Sequence, residues 1–121
     1  MRKAMFIGTL LLARPFSAHA AQRVWQGTTE GTTSAIIKYD TIAGTATVQA
    51  MGQVCVASLE GKAVPTATGF AIVAYDGNTD CRLDITLDGH GNISASNEGP
   101  GCMAYHGASC SFDVMSARAT H

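Results

Sequence analysis

The segment 81–87 (CRLDITL) alternates without a break: Cys81, Leu83, Ile85 and Leu87 project to one side, and Arg82, Asp84 and Thr86 to the other. Successive side chains of a β-strand point to opposite faces, whereas a helix would spread these apolar groups around its surface. A turn cluster at 88–92 (DGHGN) follows, and 93–95 (ISA) returns as the second arm of a hairpin. Upstream, 35–39 (AIIKY) and 45–50 (TATVQA) flank 40–44 (DTIAG) in the same way. Val24-Trp25 opens a first strand, 70–75 (FAIVAY) is an apolar run of strand length, and 111–114 (SFDV) alternates again. The segment 56–64 is compatible with a turn or two of helix, yet reads better as strand. With 13 glycines and turn signals every 8–12 residues or so, the chain is expected to be all-β. The expected form is a small antiparallel barrel or sandwich of about 7–8 strands. Tyr39-Asp40 and Tyr75-Asp76, 75 − 39 = 36 positions apart, each end an apolar strand and hint at a duplicated hairpin.

Residues 1–20 are expected to be a signal peptide, leaving 21–121 as a single β-domain. Arg2 and Lys3 make a positive n-region, 5–13 (MFIGTLLLA) an apolar h-region, and Ala18-His19-Ala20 a small-residue cleavage site. At 1.5 Å per residue, the h-region is too short a helix to cross a hydrocarbon core of about 30 Å. Nothing later in the chain resembles a membrane span. The chain is therefore expected to be periplasmic or secreted. Loss of Arg2, Lys3 and Arg14 leaves Arg23, Lys38, Lys62, Arg82 and Arg118 against nine carboxylates, a net of 5 − 9 = −4. That balance argues against nucleic acid and favours a basic protein partner.

Cys55, Cys81, Cys102 and Cys110 all lie beyond residue 20, an even number suited to an oxidising compartment. Three connectivities are possible, and the preferred one is Cys55–Cys81 with Cys102–Cys110. The second pair brackets a short glycine-containing loop, and the first joins two strand-like segments. Closing loops of this size is worth roughly 3.5 and 2.5 kcal/mol. A zinc site is disfavoured because no C-x-x-C or paired-histidine spacing occurs. Asp76, Asn78 and Asp80 match the first half of a calcium loop, but Cys81 and Leu87 stand where that loop needs glycine and a bidentate glutamate. The segment is read as a turn, with no metal and no cofactor.

No G-x-S-x-G or comparable nucleophile signature is present, and the chain is expected not to be an enzyme. The segment 101–110 (GCMAYHGASC) is the candidate site. If its cysteines pair, Tyr105, His106 and Gly107 form the tip of a rigid loop that enters a partner's cleft at low entropic cost. A competing reading has Tyr105 packing on the barrel. Cys102-x-x-Tyr105-His106-Gly107-Ala108 followed by Cys110-x-Phe112-Asp113 resembles the C-terminal signature of small exported bacterial proteins that are lysozyme-inhibitor-like. The resemblance implies an exported binding module, an inhibitor of a cationic cell-wall hydrolase of the lysozyme type, with Tyr105 and His106 inserting. The alternatives are a ligand-binding or hydrolytic barrel that uses its interior, with Trp25 and Tyr75 lining a pocket, and a structural envelope protein.

Overall fold

A computed structural model describes residues 21–77 and 80–120. The signal peptide expected at 1–20 and Asn78 of the calcium-like turn lie outside the described residues. The strands, in chain order, are β1 Gln22–Thr28, β2 Ser34–Asp40, β3 Thr45–Met51, β4 Val56–Pro65, β5 Gly69–Ala74, β6 Arg82–Leu87, β7 Ile93–Glu98 and β8 Ser116–Thr120. Each pairs antiparallel with the next, and β8 pairs with β1, so eight strands close a barrel. Closure removes the exposed strand edges that a sandwich would leave.

Period-two patterning decides what faces inward. In β4, Ala57, Leu59, Gly61 and Ala63 are buried and the residues between them exposed, which makes 56–65 a strand. In β6, Leu83 and Ile85 are buried with Leu87 packed beside them, the face expected from the sequence. Alanines at inward positions of β2, β3, β4 and β8 (Ala35, Ala46, Ala50, Ala57, Ala117) keep the barrel narrow. Large side chains then fill the space opposite small ones. Trp25 stacks on Phe70 at 5.5 Å between ring centroids, and Tyr39 lies 4.7 Å from the same ring. The indole N–H of Trp25 donates to the carbonyl of Gly91 at 2.8 Å, so this buried ring has its polar atom satisfied. Gly27 is required where β1 meets β8, since a side chain there would collide with the backbone of Ser116 and Ala117.

The two ends of the barrel differ. One carries the tight turns 41–44, 66–68 and 88–92. The other carries the loops 29–33 and 52–55, the described residues 75–77 and 80–81 between β5 and β6, and the long segment 99–115 that leads from β7 to β8. That segment begins with a 310 helix, Pro100–Tyr105, and crosses the barrel mouth. It places Cys102, Phe112 and Met115 in the core, so it caps the barrel. The strand expected at 111–114 is not formed; those residues belong to the cap, and the last strand is 116–120. Val114 sits at φ +55°, a left-handed conformation that ends any extended run.

The seam between β7 and β8 is closed differently from the others. Among the described residues its one ladder pairing is Ile93 with Ala117. Elsewhere side chains reach across: Asn92 Oδ1 accepts from the N–H of Ala119, and Ser96 Oγ accepts from the N–H of Met115. The Ser96 hydroxyl also donates to the carbonyl of Phe112, and the N–H of Glu98 donates to Asp113 Oδ1.

Candidate functional site

Both disulfides bind the cap to other loops at the same end. Cys55 in the β3–β4 loop joins Cys110, and Cys81 in the β5–β6 loop joins Cys102. The pairing preferred from sequence, Cys55–Cys81 with Cys102–Cys110, is therefore corrected. Short sequence separation favoured closing 102 on 110, but the barrel brings distant loops to one mouth, and each cap cysteine finds a different one. No closed Cys102–Cys110 loop exists. The remaining loop at this end is held by hydrogen bonds, since Glu30 donates its N–H to Asp113 O and accepts at its carbonyl from the N–H of Ser111. Gly31, at φ +81°, lets this loop approach the cap; a Cβ there would meet Ser109 O at 2.7 Å and Cys110 Cβ at 2.8 Å.

Beneath the cap, Glu98 organises the local structure. Its side chain is 13% exposed and that of His106 only 3%. One carboxylate oxygen accepts from the N–H of Phe112 at 2.7 Å, and the other lies 2.8 Å from His106 Nε2. The second ring nitrogen of His106 faces the carbonyl of Gly107, and its ring meets Phe112 edge-on at 5.2 Å. His106 is thus a buried pin of the cap, where the sequence reading had it at a loop tip. Tyr105 is half-buried against the core, and Gly107 is exposed at φ +75°. Met103, on the 310 helix, is the exposed large apolar residue of this turn, at 57%. No local pattern marks Glu98, because its partners lie 8, 14 and 15 positions further on.

The cap, the 29–33 loop and Glu98 enclose a half-open cavity of about 390 Å³, lined by Glu30, Glu98, Met103, His106, Ser109 and Ser111 among others. A second groove of about 340 Å³ lies along β2, β3 and β4 beside Ile36, Met51 and Val56. Neither of these cavities is lined by Trp25 or Tyr75, the residues expected to line an interior pocket. Trp25 is fully buried in the aromatic stack, and Tyr75 is 58% exposed on the outside. Tyr39 and Tyr75 sit at opposite ends of the barrel, so the two Tyr-Asp pairs do not mark a repeated hairpin. Asp76 and Asp80 are exposed, and no group of three or more His, Cys, Asp or Glu able to hold a metal ion occurs among the described residues.

Charge is segregated along the barrel axis. The capped end carries Glu30, Asp76, Asp80, Glu98 and Asp113. Arg82, placed near them, is bridged to Asp84 at 3.1 Å, and Arg118 and Glu60 lie midway along their strands. Arg23, Lys38 and Lys62 lie toward the opposite end, with Asp40 and Asp88. At the acidic end, Val54, Met103 and Val114 are exposed at 78%, 57% and 69%. A β-branched residue at positive φ is strained by about 1–2 kcal/mol, so Val114 holds an outward apolar side chain at a cost to the fold. No protein-family model, curated protein or solved structure matches this chain.

Proposed function

We propose that the protein is an exported binding module that recognises a basic protein through its capped, acidic end. The observation that carries this reading is the charge segregation. Five of the nine carboxylates, Glu30, Asp76, Asp80, Glu98 and Asp113, gather around the one end where three loops and the cap are fastened together, and three of the five bases beyond residue 20, Arg23, Lys38 and Lys62, stand toward the other. A field of one sign speeds encounter with a partner of the opposite sign. Loops already fixed by disulfides lose little further freedom on docking, so more of the contact energy appears as affinity. Exposed Met103, Val54 and Val114 add apolar contact within that acidic surface. Two disulfides accord with an oxidising, extracytoplasmic setting, where a soluble module of this kind would meet its partner.

Cationic cell-wall hydrolases of the lysozyme type are the first partners to assay, and inhibition would follow from the capped end covering their cleft. Because His106 is buried and Tyr105 half-buried, contact falls to the exposed residues of the cap and the neighbouring loops. The test is binding and turnover measured with a cationic lysozyme at low and at physiological ionic strength. Micromolar protein is expected to bind, with an association rate that falls as salt rises. Replacing Glu30, Asp76 and Asp80 together by their amides is expected to slow association. Absence of binding to any cationic hydrolase at low salt overturns the reading.

A further inference from the structure

The cavity under the cap combines features that a flat acidic surface lacks. Its wall offers the thioether of Met103 and the backbone of residues 107–110, a lining suited to methylene groups. Its lining holds two carboxylates, Glu30 and Glu98; Glu98 already meets His106 Nε2 at 2.8 Å and the Phe112 N–H at 2.7 Å, and neither carboxylate is paired with a lysine or arginine among the described residues. One oxygen of Glu30 accepts from the Ser111 hydroxyl at 2.8 Å. Its other oxygen has no partner among the described residues. Glu98 is largely withdrawn from water, and a carboxylate in such a place gains from a cation that reaches it. The volume, about 390 Å³, is at the small end of ligand pockets, which run from roughly 300 to 1,000 Å³. It suits a single side chain better than an extended ligand.

We propose that this cavity receives one basic side chain of the partner protein, its methylenes against Met103 and its charged head between Glu30 and Glu98. This rests on the reading of the protein as a module for basic partners, and it names the anchor of that contact. A guanidinium would span both carboxylates with its fork of donors, whereas an ammonium would meet one at a time. A neutral side chain would leave Glu30 without a cation, and an acidic one would set like charges together.

The test uses the oxidised protein and capped tripeptides Gly-X-Gly, with X arginine, lysine or citrulline, the neutral isostere of arginine. Nuclear magnetic resonance follows the Met103 methyl and the amides of Gly107 and Ala108. Millimolar arginine or lysine peptide is expected to shift these signals and citrulline to leave them in place. Glu30→Gln, which keeps an oxygen for the Ser111 hydroxyl, is expected to weaken the response about tenfold or more. Equal shifts with citrulline, no shift with either cation, or an unchanged affinity in Glu30→Gln overturn the proposal. A cationic lysozyme bound equally by wild type and Glu30→Gln also overturns the pocket while leaving the module reading standing. Peptides that bind when no cationic protein does leave the pocket standing and overturn the module.

Discussion

Replacing Glu98 tests whether the cap is held by chemistry or merely by its disulfides. Its carboxylate accepts one hydrogen bond from the Phe112 N–H and faces His106 Nε2, at 2.7 and 2.8 Å, with 13% of the side chain exposed. Hydrogen bonds to a charged group contribute roughly 1.5–3 kcal/mol each, so Glu98→Ala is expected to cost about 3–6 kcal/mol. Glu98→Gln keeps an oxygen for the Phe112 N–H and turns an amide nitrogen toward His106, so a loss of about 1 kcal/mol is expected. Urea unfolding of the oxidised proteins measures both. A double-mutant cycle with His106→Ala isolates the pair, and contacting groups of this kind couple by about 0.5–3 kcal/mol. A loss below about 1 kcal/mol for Glu98→Ala, or additive single losses, would refute the view that this carboxylate fastens the cap.

Three further outcomes follow from other parts of the molecule. Removing Cys55–Cys110, which closes 55 residues, is expected to cost about 4 kcal/mol, and removing Cys81–Cys102, which closes 21, about 3 kcal/mol. Paired serine variants compared in denaturant check the order. Val114→Gly is expected to raise stability by up to about 1 kcal/mol, because glycine relieves the left-handed strain and returns part of the gain through the freer unfolded chain; a lower Tm would contradict this. Asp88 accepts N–H bonds from His90 and Asn92, which hold its carboxyl below the ordinary carboxylate range. Its contribution is therefore present above that range and lost as pH falls through the lowered folded value. Asp88→Asn should flatten that part of the pH–stability curve, as read by acid unfolding.

The sequence disclosed strands because burial in a barrel imposes a period of two on each one. Leu83 and Ile85 announce their face, and even 56–65, with helix-compatible residues, alternates cleanly. What pairs across the mouth of a barrel carries no such period. Cys102 and Cys110 are close in sequence, yet each bonds to a loop brought near only when the sheet closes. From sequence, His106 reads as a loop tip because Cys102 and Cys110 are expected to pair around it. Its burial depends on Glu98 and Phe112, which reach it through the fold. Val114 and Glu30 gave no local signal, since one is notable for its backbone angle and the other for the cavity it borders.

The β7–β8 seam, with its one ladder pairing among the described residues and its side-chain bridges from Asn92, Ser96 and Asp113, makes barrel closure depend on the cap. Until 112–115 is seated, Ser96 and Asp113 have no partners across the gap, and the chain is an open sheet with two free edges. Such edges are templates for pairing between molecules. The amides bordering this seam should therefore exchange with solvent ahead of the other ladders. Disulfides that hold the cap in place therefore favour ring closure, and the reduced chain is expected to aggregate more readily. The route by which such a chain reaches an oxidising compartment then matters as much as the stability it attains there.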